Sequence, residues 1–182
     1  MSFISEEQDN CRISILSLAH IADDLRELSP ISHLTSRDHV RVDPQSSAWI
    51  LGKLLKMLVF TQSQYISGLD LNGENILINR RQHYVTLFAW TEAILGNGEI
   101  SPMIAQDEIA KVAFEVRIIL GGDPTTGKLP PDKQLPDDQY ENFIRSLIAG
   151  REKDASEAHR KCYELIHSLW PRKFHEFTTY SI

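Results

Sequence analysis

The sequence predicts a mainly α-helical domain with one small β-hairpin at its centre, an α+β arrangement. Three observations lead there. Apolar residues recur at three-and-four spacing in five separate segments. Two short β-rich runs, NILIN (75–79) and YVTLF (84–88), interrupt that series. The prolines stand at segment boundaries, where helices start or stop.

The first predicted helix covers 5–28. Ser5 and Gln8 read as a capping box, Glu6 and Glu7 suit the positive end of the helix dipole, and Cys11, Ile15, Leu18, Ala22 and Leu25 line one face. Pro30 ends it, and the following ISHLTSRDHVRV reads as irregular. Asp43-Pro44 then supplies an N-cap and a proline in the first turn, so a second helix is expected near 44–61 with Ala48, Leu51, Leu55, Leu58 and Val59 buried. The hairpin follows, its strands separated by the polar Arg80-Arg81-Gln82-His83.

Helical spacing returns with Ile109, Val112, Ala113, Val116 and Leu120, closed by Gly121-Gly122. A proline-rich loop, DPTTGKLPPDKQLPD, leads to a helix near 137–149 carrying Tyr140, Phe143, Ile144, Leu147 and Ile148 on one face. Asp154 and Glu157 signal the last helix, 155–169, with Ala158, Cys162, Leu165, Ile166 and Leu169 as its stripe and Pro171 after it. Neither a repeat nor a domain linker is evident, so residues 1–182 are expected to form one domain, with the helix 5–28 and the tail 171–182 packed on it.

The 182 residues are 42% hydrophobic and 24% charged, ordinary values for a globular domain. A net charge of −6 gives no overall field for nucleic acid or an anionic membrane. Cys11 and Cys162 have no partners at metal-ligand spacing and read as reduced thiols in helices. The N-terminal MSFISEEQDN lacks the features of a secretory leader, and no apolar run reaches membrane-spanning length. A cytoplasmic protein without cofactor is the expectation.

The stretch GLDLNGENILIN, residues 68–79, carries the chemistry worth asking about. Asp70 stands five residues before Asn75, and Leu71, Ile76 and Leu77 supply apolar positions around them. VTLFAWTEA follows as the second hairpin strand, and Asp107 opens the next apolar helix. Over roughly 44–150 this order of parts resembles the C-terminal lobe of protein kinases. The resemblance places Asp70 at the family's catalytic base and Asn75 at a metal ligand. It puts Ala89-Trp90-Thr91 at the Asp-Phe-Gly motif, and Asp107 at the aspartate that braces the catalytic loop.

The departures decide what the resemblance implies. Gly68 replaces the family's His or Tyr, Thr91 replaces its glycine, and Ala89 replaces the chief metal-binding aspartate. A methyl group cannot coordinate Mg²⁺. The residues before 44 are too few for the family's N-terminal lobe with its phosphate cover, lysine and glutamate. Phosphoryl transfer needs metal and positive groups to hold the phosphates. The resemblance therefore implies a pseudokinase-like domain that acts as a scaffold or regulator through a protein partner or a homodimer. Asp70 and Asn75 then serve to tie the turn to the helix of Asp107, and a surface around Asp70, Asn75 and Trp90 awaits cover. The competing reading is a small phosphotransferase or hydrolase using Asp70 with a metal brought in by tertiary contacts.

Other motifs are weaker. GDPTTGK, 122–128, has the spacing of a phosphate-binding loop, but Leu129 replaces the magnesium-binding hydroxyl and prolines follow where a helix should start. His33, Asp38 and His39 are loop residues, and His159 and His167 are two turns apart on one helix, so none forms a local metal pattern. The tail LWPRKFHEFTTYSI interleaves Trp170, Phe174, Phe177 and Tyr180 with Arg172, Lys173 and His175. It reads either as a tail that packs back on the core or as an exposed anchor for a partner.

Overall fold

The computed structural model describes residues 3–8, 11–16, 27–81, 83–88, 90–129 and 138–182; for 3–8 and 11–16 it describes the backbone. The fold is α+β. At its centre is the helix α2, Pro44–Ser63, and its start shows why it forms. The Asp43 carboxylate accepts from the backbone N–H groups of Gln45 at 2.9 Å and Ser46 at 3.2 Å, and Pro44 has no N–H to leave unpaired. Ala48, Ile50, Leu51, Leu54, Leu55 and Leu58 are all fully buried, each leucine or isoleucine contributing about 1.5–3 kcal/mol by leaving water.

Helices α3, Pro102–Ile119, and α5, Ala155–Leu169, pack on α2, and α4, Asp138–Ile148, packs on α3. The stripes meet there: Ile109, Val112, Ala113, Val116 and Ile119 from α3, Tyr140, Ile144 and Leu147 from α4, Ala155, Ala158 and Cys162 from α5. Burial pushes the Cys162 thiol up to about 12, so it stays a neutral packed group. Asp154 caps α5, accepting from Glu157 N–H at 2.8 Å. Gln62 joins three helices, its carbonyl oxygen accepting from Ala155 N–H at 3.1 Å and its amide reaching Glu108 Oε2 at 3.4 Å.

The expected hairpin forms as β6, Ile76–Asn79, and β7, Tyr84–Leu87, with Ile76 opposite Leu87. A third strand, β3, Leu28–Pro30, joins β6 antiparallel. The predicted irregular stretch contains the short helix α1, Ser32–Ser36, and the strand β4, Val40–Val42. That strand pairs with β9, Thr179–Ser181, so the tail returns along the body. Trp170 meets Tyr140 edge-on at 5.5 Å and Phe177 is half-buried against the core, whereas Phe174 and Tyr180 are exposed.

The helix expected over 5–28 is not what the described residues form. Phe3–Gln8 is the strand β1 and Cys11–Leu16 is β2, paired antiparallel with Phe3 opposite Leu16. The reason is visible in CRISIL: Cys11, Ile13 and Ile15 alternate with Arg12 and Ser14, and isoleucine is β-branched and stiff in a helix. Cys11 and Ile15, four apart, satisfy both periods, and only Ile13 separates them. Residues 17–26 of that expectation, and the proline-rich run 130–137, lie outside the described residues. Among the described residues no helix is long and apolar enough to cross a membrane.

Candidate functional site

The chain leaves β5, Ile66–Ser67, through Gly68, which sits in the left-handed region at φ +74°. A Cβ there would lie 2.9 Å from the Glu92 carbonyl oxygen, so only glycine passes without strain. This turn aims two backbone N–H groups at Glu108: Oε1 accepts from Gly68 at 2.9 Å and from Leu69 at 3.4 Å. Leu69 and Leu71 then point into the core, and Asp70 between them faces outward.

Asn72 closes the turn, its side-chain oxygen accepting from Glu74 N–H at 2.9 Å and Asn75 N–H at 3.1 Å. Asp70 is engaged on both oxygens. Oδ1 accepts from the Asn72 amide and Oδ2 from the Asn75 amide, each at 2.7 Å. Asp70 and Asn75, paired in the sequence by spacing alone, are thus direct partners.

Gly73 fills the tightest point, where a Cβ would lie 2.6 Å from Glu115 Oε2 and 3.2 Å from Ser32 Cβ. Its carbonyl accepts from Ser32 N–H at 3.1 Å, and Ser32 Oγ donates to Glu74 at 2.6 Å. Asn75 passes the loop on to the hairpin, its carbonyl accepting from Phe88 N–H at 2.8 Å.

The bracing residue is a correction. Asp107 is exposed and pairs with Lys111 at 2.7 Å, one turn along α3. Glu108, buried, does the work expected of Asp107. The signal was present: Ala105, Glu108, Ile109 and Val112 share one helical stripe, so position 108 faces inward and 107 does not. Burial pushes the Glu108 carboxyl above the usual range, while the Gln62 amide and the two loop N–H groups pull the other way. Burial likewise raises Glu115, which accepts from Gly73 N–H.

Between residues 88 and 103 stand exposed apolar side chains, of which the sequence points to Trp90 alone. Ile94 and Leu95 form β8, pairing with Ser67 and Ile66, and are 64% and 73% exposed. Ile94 lies 3.7 Å from where a Gly68 Cβ would sit. Phe88 is 59% and Met103 74% exposed. Trp90 donates from its indole to Leu87 O at 3.0 Å and leaves its ring partly open. Ala89 lies outside the described residues. Beside Asp70 a cleft of about 340 Å³ runs between Asp70 and Asn72 on one wall and Lys111, Phe114 and Glu115 on the other.

The remaining motifs fall into place locally. In the loop after α3, Asp123 accepts from Thr125 N–H at 3.0 Å and from Thr126 N–H and hydroxyl at 2.7 and 2.9 Å. Its own aspartate therefore occupies the amides that a phosphate would need. Those Thr126 bonds hold the Asp123 carboxyl below its ordinary range. Asp38 pairs with Arg37 at 2.9 Å and with Arg80, and His33 lies 3.8 Å from Glu74, so His33, Asp38 and His39 do not converge. Among the described residues no three His, Cys, Asp or Glu side chains are grouped to hold a metal ion. No family model and no curated protein matches this chain.

Proposed function

We propose that the chain is a degenerate kinase-like C-lobe acting without catalysis, as a protein-interaction scaffold or regulator. The observation that carries this is a contrast. Asp70 spends both carboxylate oxygens inside its own loop, while Phe88, Trp90, Ile94, Leu95 and Met103, between the hairpin and the first turn of α3, stand exposed. Five large apolar side chains left open between residues 88 and 103 suit an interaction surface. The kinase-like part rests on the Asp70–Asn75 bond at the family's spacing and on a buried acidic residue, Glu108, holding the backbone just before Asp70. Ala89 at the place of the metal-binding aspartate argues against phosphoryl transfer, because a methyl group cannot hold the metal that neutralises a phosphate.

Light scattering on the eluting protein tests the self-associating form of this reading. The wild type is expected to grow in mass with concentration, and Leu95→Asp with Met103→Asp to stay a monomer. A wild type that remains monomeric at high concentration counts against it.

A second reading has one observation behind it. Asp70 and Lys111 border a cleft, and a small phosphotransferase or hydrolase using Asp70 with a metal would use it. Metal analysis of the purified protein, repeated on Asp70→Ala, separates the two: stoichiometric metal lost with the aspartate favours the enzyme.

A further inference from the structure

A second surface, sharing no lining residue with the Asp70 loop, lies between α2, α5 and the tail as a groove of about 670 Å³. Its chemistry is opposite in sign to that of the molecule. The chain carries a net charge of −6, yet no Asp or Glu lines the groove. Lys53 and Lys56 line it from α2 and Arg172 and Lys173 from the tail. None of the four has a carboxylate within ion-pair distance among the described residues, whereas Arg37, Arg80, Lys111, Arg117, Arg160 and Lys161 all do.

The apolar part of the groove is aromatic and open. His83 stacks flat on Phe174 at 5.1 Å and meets Trp49 at 5.2 Å, and Phe174 remains 75% exposed. On α5, Tyr163 meets His167 edge-on at 4.1 Å. The His167 Nε2 atom is buried without a hydrogen-bond partner, an unusual cost for a polar atom. Burial lowers the His159 pKa, and the Lys56 charge adds to that. Asp43, which meets the lining residue His175 at 3.0 Å, lies outside the lining and also accepts from the first turn of α2.

We infer that this groove docks an acidic peptide segment of a partner protein, one carrying an aromatic side chain. The cations on both walls select the backbone's acidic neighbours, and the Trp49–His83–Phe174 cluster takes the ring. Cationic side chains flanking exposed aromatics are the composition of interface hot spots, and complementary charge sets specificity and association rate. An acidic segment would be repelled over much of the remaining surface, so the groove is where its charge is welcome.

The test uses the full chain and a fluorescein-labelled pentapeptide of four glutamates around a central phenylalanine, followed by polarisation. Saturable binding is expected, with Kd on the order of 10–100 µM. Lys53→Glu with Lys56→Glu is expected to weaken it at least about tenfold, and Phe174→Ala several-fold, since rim charges and a central ring both contribute. Both lysines and Phe174 are exposed, and unchanged circular dichroism and thermal midpoint would show that the variants fold. Raising the salt should weaken binding. The inference is overturned by absent saturation, by equal binding of a lysine-for-glutamate peptide, or by indifference to both variants. It is also overturned if replacing the peptide's phenylalanine by alanine changes nothing while inorganic pyrophosphate competes fully, because the groove would then be a small-anion site.

Discussion

The loop around Asp70 and the groove between α2, α5 and the tail solve opposite problems with the same residue types. In the loop the charged and polar groups that shape it are answered by neighbours: Asp70 by two asparagines, Gly68 and Leu69 by Glu108, Ser32 by Glu74. What remains open there is apolar. In the groove the rings touch one another, and what remains open is cationic and, at Phe174, aromatic. Saturated polarity fixes a shape, and unpaired charge waits for a ligand. The two surfaces should therefore fail differently when changed.

Glu108→Ala gives the largest expected difference. It strands the buried Leu69 N–H and the part-buried Gly68 N–H together, and should cost about 2–3 kcal/mol in urea unfolding. The groove pair Lys53→Glu with Lys56→Glu should stay within about 0.5 kcal/mol, as for exposed positions with no such role. Comparable losses at both places would erase the distinction.

Gly68→Ala is next, at about 1–3 kcal/mol, because it forces a Cβ into a left-handed turn against a carbonyl oxygen. A wild-type unfolding midpoint for this variant would mean the turn is not held as described.

A smaller effect follows from titration. Burial raises the Glu108 carboxyl in the folded protein, so its share of stability is full below the unfolded value of about 4.3 and is lost as pH rises through the folded value. Glu108→Gln keeps an oxygen for Gly68 and does not titrate. The stability of Glu108→Gln relative to wild type should therefore climb from pH 4 toward neutrality. Asp38 and Glu157, lowered to about 2 mainly by Arg37 and Arg160, lose stability in the opposite direction, as pH falls toward 2. They are common to both proteins and cancel in the difference. A flat or falling difference would contradict the account of Glu108.

Much of the helical frame was legible because its signals are local. Asp43-Pro44 and Asp154 announced α2 and α5 through capping chemistry, and the stripe from Tyr140 to Leu147 through its period. Asp70 and Asn75 stood out through their spacing, but the expected tie to the helix of Asp107 is instead a bond between the two side chains, which spacing alone does not specify. The pairing of β4 with β9 was not, since three-residue strands distant in the chain leave no periodic trace. At the N-terminus Cys11 and Ile15 fit both periods, and Ile13 marks the alternation that the strand follows. Glu108 was passed over because an acid on an apolar stripe looks like surface until a backbone N–H is found to meet it. The groove brings together α2, the hairpin turn at His83 and the continuous run of α5 and tail, and none of them carries its charge pattern alone.

The central claim is that Asp70 holds a loop and has no phosphate to act on. A calorimetric titration of the full chain with ATP and Mg²⁺, alongside Asp70→Ala, tests it most directly. The account predicts no saturable heat from either protein. Saturable binding by the wild type that vanishes in Asp70→Ala would contradict it and restore the loop as an active site.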